Sequence, residues 1–266
     1  MKKALPIIVG VAALVLLWTR FSAPEAQVAD EPPENSAIAR ARREMTLPPP
    51  LPPSEQPAPP SSVPDEVAEG EAARQSVPFT SQAPAGQWSN PRYQDACEET
   101  SVLMALAWLE GDTRQSIPAG EAAERITALS HRAETMFGTY VDSSTADTLK
   151  LLRDAKPDVN ATLVNNATEA QLITALQQGA VVVAAMNGQA LGNPNFTSPG
   201  PINHMLVVIG YDPETDQFIT NDPGTRSGRG YRYGTATFMA AIRDYPTGDH
   251  LPHAATPKKA AIIIYK

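Results

Sequence analysis

Nearly half of the 26 prolines fall between Pro24 and Pro64, and that clustering divides the chain before any motif is considered. Residues 23–76 are rich in Pro, Glu, Ala and Ser, with PPPLPP at Pro48–Pro53 and PAPP at Pro57–Pro60. Each proline fixes φ and removes a backbone donor, and the stretch holds too little apolar area to fold. It is expected to be an extended, partly polyproline tether. What remains, residues 77–266, has the length of one domain. Before the tether, Lys2 and Lys3 precede an apolar run from Ala4 to Trp18, and Arg20 follows it. Residues 1–22 are therefore a signal peptide or a short signal anchor. The run is shorter than the roughly 20 residues of a full span. Ser22-Ala23 is followed by Pro24, and no clean A-x-A cleavage site is present. The favoured expectation is an uncleaved anchor with a cytoplasmic N-terminus, by the positive-inside rule. Removal of a signal peptide is the alternative. Both place the domain outside the cytoplasm, in the cell envelope, tethered to the membrane or secreted.

That compartment makes the cysteine count informative. The chain has one cysteine, Cys97, so it has no internal disulfide. Burial is the ordinary fate of such a residue. Its setting is the stretch YQDACEETSVLMALAWLEG, Tyr93–Gly111. Val102, Leu103, Leu106 and Leu109 recur at helical spacing. Asp95 is a candidate N-cap, Glu98 and Glu99 suit the positive end of the dipole, and Gly111 suits a C′ stop. A thiol at a helix start can have its pKa lowered, which makes Cys97 a candidate nucleophile. A formal net charge of −8 argues against a nucleic-acid partner. One Cys and four scattered His do not give metal-ligand spacing.

Further elements follow in order. Val77–Thr80 is expected to be a short strand, and Ala83–Arg92 a loop. Helices are expected from Pro118 to about Met136, after Ser144 up to Pro157, and from Thr168-Glu169 to Gly179. Strands are expected at Val159–Val164, Ala180–Met186, His204–Tyr211, Gln217–Asn221 and Ala260–Tyr265, with a short edge strand at Tyr231–Tyr233 and a helix over Thr235–Asp244. Asn187–Asn203 is a long loop of the kind that carries function. Helices first and a mostly antiparallel sheet second imply an α+β domain, with the Cys97 helix packed on the sheet.

The hairpin offers a base. His204 and Asp222 have their midpoint at Pro213, inside the turn Asp212-Pro213-Glu214-Thr215. That register sets them opposite one another, with Cβ atoms about 5 Å apart on one face. At that distance a carboxylate can fix the imidazole tautomer and stabilise its charged form. Ser/His/Asp chemistry is disfavoured because no G-x-S-x-G elbow is present.

Four blocks, VPFTSQAP (Val77–Pro84), QDACEE (Gln94–Glu99), HMLVVIGYD (His204–Asp212) and NDPG (Asn221–Gly224), resemble the papain-like cysteine peptidases. Among these they are similar to bacterial peptidase-like domains related to the bacteriocin-leader-processing (double-glycine) peptidases. The resemblance implies a papain-like fold over about Val77–Lys266, with Cys97 as nucleophile, His204 as base and Asp222 as orienter. Gln82 would donate to the oxyanion together with the Cys97 N–H, and Gln94 is a rival donor. It implies a peptide or protein substrate and no cofactor. A monomer is expected. Those relatives commonly have glycine after the cysteine; here the residue is Glu98, whose charge would raise the thiol pKa unless it points away. The function expected is a cysteine peptidase or amidase. The alternative is an inactive papain-like domain that binds peptide or cell-wall material on its tether.

Overall fold

The computed structural model describes residues 73–248 and 258–266. The expected anchor at 1–22, the tether up to residue 72, and His250 and His253 lie outside the described residues. Among the described residues no helix is long and apolar enough to cross a membrane. The elements are β1 (Ala73–Arg74), α1 (Pro91–Gln94), α2 (Cys97–Leu109), α3 (Ala119–Phe137), α4 (Thr145–Ala155), β2 (Asn160–Asn165), α5 (Glu169–Gln177), β3 (Val181–Met186), α6 (Gly188–Leu191), β4 (His204–Asp212), β5 (Gln217–Asn221), β6 (Arg229–Gly234), α7 (Thr235–Ala241) and β7 (Ala260–Tyr265).

The strands form one sheet in the order β2-β7-β3-β4-β5-β6, with β1 paired to β4 off that path. Each of these ladders is antiparallel. Successive side chains of a strand point to opposite faces, and the central strands are apolar on both. Val181, Val183, Ala185, Met205, Val207, Ile262 and Ile264 pack with Val102, Met104 and Leu106 of α2 and Leu149 and Leu152 of α4. Val182, Ala184, Met186, Leu206, Val208 and Ile263 pack on the other face with Leu172 and Leu176 of α5 and Phe238 of α7. Helices therefore cover both faces, which is why β3 and β4 are continuous apolar runs rather than alternating ones. Fully burying one such side chain is worth about 1.5–3 kcal/mol.

The Cys97 helix departs from the expected one-sided pattern. Every residue from Cys97 to Trp108 is buried. The sheet takes one side, and α3 takes another through Leu103, Ala107, Ala122 and Ile126. A helix held between two layers is apolar all round. It ends as expected: Gly111 has φ +82, its N–H donates to Trp108 O, and Asp112 N–H donates to Ala107 O. That pair of bonds is a Schellman stop, and the positive φ requires the glycine.

The expected strand at Val77–Thr80 is not a member of the sheet. Phe79 forms an isolated parallel bridge with Ser116, and Pro78 lacks the N–H a ladder needs. The sheet is entered earlier, where Ala73 faces Tyr211 and Arg74 faces Gly210. The long loop after β3 also contains a turn of helix, α6, capped by Asn187.

Candidate active site

Three segments converge at one end of the sheet: the start of α2, the start of β4 and the turn after β5. The start of α2 is set by a one-turn helix, not by the expected cap. Asp95 is the C-cap of α1, and Ala96 is the N-cap of α2, with no side-chain cap bond. Gln82 secures this junction, because its Nε2 donates to Tyr93 O at 2.9 Å and Gln94 O at 2.8 Å. Both amide hydrogens are thereby engaged, while the buried Oε1 has no hydrogen-bond partner. The Gln82 N–H donates to Pro223 O at 2.9 Å, tying the same residue to the turn that carries Asp222. Gln94 Nε2 donates to Trp88 O at 2.8 Å.

Glu98 does not point away from the thiol. Cys97 Sγ donates to Glu98 Oε2 at 3.2 Å, and Tyr245 Oη donates to Glu98 Oε1 at 2.6 Å. Both carboxylates of the first turn, Glu98 and Glu99, are buried. Burial first, and then the negative charges of Glu98 and Asp142, push the Cys97 thiol well above its ordinary range. The expectation of a thiol pKa lowered by the helix start is therefore overturned. Desolvation and a facing carboxylate outweigh the dipole. Burial and the Asp142 charge likewise raise Glu98, up to about 7, against the lowering effect of the bonds from Tyr245 and Cys97.

His204 and Asp222 are in contact, as the hairpin suggested, but by a different register. Val207 faces Asn221 and Val208 faces Thr220; a bulge follows, and Asp212 faces Gln217. Continuing that ladder past the strand end sets His204 opposite Gly224, so the Asp222 carboxylate reaches its partner on the diagonal. His204 Nε2 and Asp222 Oδ1 are 2.8 Å apart, both side chains buried. Oδ1 also accepts from Gly224 N–H at 2.9 Å, and Oδ2 accepts from Tyr233 Oη at 2.6 Å. Burial alone would raise the Asp222 pKa. The His204 charge and these three donors outweigh burial and hold the carboxyl below its usual range. An ionised carboxylate only accepts, so Nε2 carries the proton and Nδ1 is the ring nitrogen left to accept from a thiol.

The sequence reading missed Tyr233 and Asn193. Asn193 Nδ2 donates to Tyr233 Oη at 2.7 Å, which sets the phenol to donate onward to Asp222. Burial and the Asp222 charge raise the Tyr233 pKa, so it remains a donor. The clue available in the sequence was a polar-tipped aromatic on the strand next to Asp222. Phe196 from the loop after α6 meets the His204 ring edge-on at 5.3 Å. Gly224 completes the packing, since a Cβ there would lie 2.9 Å from His204 Cε1 and 2.9 Å from Phe196 Cε1. Gly224→Ala is expected to cost roughly 10²-fold in any reaction that relies on His204, by displacing the ring. The rate of Cys97 modification by a peptide electrophile would measure this loss.

Cys97 and His204 line one cavity of about 380 Å³, together with Gln82, Trp88, Gln94 and Phe196. It brings the four expected site segments to one place, while Gln82, expected at the oxyanion, has its amide engaged by Tyr93 O and Gln94 O. The model of the Peptidase C39-like family matches residues 74–246, well over half of the chain. The chain belongs to that family. The C39-like domain is thus a papain-like α+β cysteine peptidase domain, and its class is hydrolase. A solved structure described as a C39-like peptidase from Bacillus anthracis is similar at 17% identity and a TM-score of 0.42, covering 74% of this chain and 98% of its own. No curated protein matches the chain.

Proposed function

We propose that this C39-like peptidase acts outside the cytoplasm, cleaving a peptide or amide bond with Cys97 as nucleophile, His204 as base and Asp222 as orienter. The observation that carries the reading is one cavity shared by Cys97 and a His204 whose far nitrogen is held by Asp222. His204 Nδ1 takes the thiol proton, and the thiolate adds to the substrate carbonyl carbon. The tetrahedral oxyanion is met by the Cys97 N–H and by Gln82. Gln82 donates there by releasing one of its two main-chain carbonyl partners, Tyr93 or Gln94. The amine leaves with the proton from His204, and water then opens the thioester with His204 again as base.

Location and assembly rest on the sequence. The apolar run Ala4–Trp18 and the proline-rich stretch support a domain held at the membrane or released from it, and the chain is proposed to act as a monomer. The hydrogen bond from Cys97 to Glu98 favours a second reading, a silent domain that binds peptide or cell-wall material. Incubating the intact chain with a denatured protein substrate separates the two. Peptide products are expected from the parent chain and not from Cys97→Ala or His204→Ala. Peptide binding retained in Cys97→Ala, with no products from the parent, would establish the silent reading.

A further inference from the structure

Two proton acceptors bear on Cys97. His204 shares its cavity, and Glu98 holds its S–H at 3.2 Å. The mechanism above uses only the first. Glu98 is 1% exposed, and one oxygen faces the nucleophile while the other is fixed by Tyr245 at 2.6 Å. A buried carboxylate aimed at a nucleophile has two opposite effects, set by its own proton. Ionised, it accepts the S–H and repels a thiolate. Protonated, it becomes an O–H donor and can hydrogen-bond a thiolate.

We propose that Glu98 is a positioning residue that decides whether Cys97 can give its proton to His204: ionised Glu98 retains the thiol, and protonated Glu98 supports the Cys97 thiolate and His204 imidazolium pair. This deepens the nucleophile and base reading and rests on it. Only protons move. The Glu98 proton comes from solvent, and the thiol proton passes to His204 Nδ1. The groups that set the balance come from every element around the carboxylate. Cys97 and Glu99 lie on α2, Asp142 on the segment before α4, and Tyr245 beyond α7, while Arg92 and Asp95 bear on Glu99. Asn203, next to His204, donates to Asp142 Oδ2 at 3.2 Å and accepts from Arg243 at 3.1 Å. The Asp142 charge is thereby tied to the base side of the cavity. Since Glu98 is raised to about 7, the switch falls in the neutral range.

The test is the rate of iodoacetamide alkylation of the intact chain between pH 5 and 9. With one cysteine in the chain, the modified site is unambiguous. The parent rate is expected to fall roughly tenfold as pH rises through about 7, the effect of a neighbouring like charge, before the thiol itself ionises at higher pH. Glu98→Gln is expected to abolish that fall and to react roughly tenfold faster than the parent at pH 8. Tyr245→Phe removes the donor that favours the ionised carboxylate and is expected to move the fall to higher pH. Circular dichroism verifies folding, and Tyr245→Phe decides if Glu98→Gln does not fold. A parental pH profile in the folded variants overturns the proposal. If His204→Ala slows alkylation while the Glu98 and Tyr245 variants keep the parental profile, only the Glu98 role fails. A parental profile in His204→Ala removes the base assignment and this proposal with it.

Discussion

Asp222→Ala is expected to destabilise the domain by roughly 3 kcal/mol or more, the cost of leaving several buried donors without their charged acceptor. The carboxylate is fully buried and takes three donors, from His204, Gly224 and Tyr233. Alanine leaves all three without an acceptor in a place water does not reach, and an unmade buried bond costs more than a made one contributes. The ring of His204 then has nothing to fix its tautomer, so turnover is expected to fall about 10⁴-fold. Asp222→Asn separates the two effects. Its oxygen can still accept from His204 Nε2 and Gly224 N–H, and asparagine serves as orienter in papain-like triads. The loss falls on the other side. Tyr233 Oη already accepts from Asn193 at 2.7 Å, and beside an amide N–H it would face two donors with its own proton unplaced. That costs about 1–3 kcal/mol. Urea denaturation and substrate turnover, measured on both variants, are expected to rank alanine far below asparagine in stability and rate. Equal effects of the two would place the role of Asp222 elsewhere.

The second large effect is on stability against pH. The folded protein is expected to be most stable under mildly acidic conditions and to lose stability as pH rises from about 4.5 to about 7. Glu98 is raised from 4.5 to about 7 in the fold. Between those values the folded state holds a proton that the unfolded state has released, so unfolding becomes easier as pH rises. The contribution is on the order of 3 kcal/mol. For a domain of this size that is roughly 5–10 °C in melting temperature. Glu99, raised first by burial and then by the Glu98 charge, acts with the same sign. Asp222 acts oppositely. Its folded pKa is lowered, so its contribution is present above the ordinary carboxylate range and is lost as pH falls through the folded value. Among melting curves taken at pH 4, 5.5, 7 and 8.5, the melting temperature is expected to drop from the second point to the third, and Glu98→Gln to flatten that drop.

The parts of this molecule visible in the sequence are those fixed by neighbours in the chain. The Gly111 stop and the helix starts at Ser144 and Thr168 depend on residues within one turn, and each cap bond is present. The apolar runs of β3, β4 and β7 were visible because a sheet covered on both faces leaves no polar positions. The His204–Asp222 contact was legible as proximity, but its register was not. The bulge between Val208 and Gly210 and a turn closed by Asp212 and Gln217 shift the ladder, and nothing in the residue types announces either. Asp95 resembled a cap because the one-turn α1 that claims it is too short to show periodicity. The orientation of Glu98 lay beyond the sequence for another reason. Adjacency to Cys97 was plain, but its side chain is directed by Tyr245, far along the chain. Tyr233 and Asn193 were hidden likewise, since their contact with Asp222 depends on how β6 and the loop after α6 close over the turn.

The central claim, that Cys97 and His204 form a nucleophile and base pair, is tested most directly by covalent trapping. The intact chain is treated with a peptidyl vinyl sulfone, which reacts with an activated thiol in a substrate cavity and slowly with an inert one. Mass spectrometry of the folded protein is expected to show one adduct, on Cys97, that is lost in His204→Ala and after denaturation. An adduct that forms at the same rate in His204→Ala, or that appears only once the chain is unfolded, would contradict the pairing.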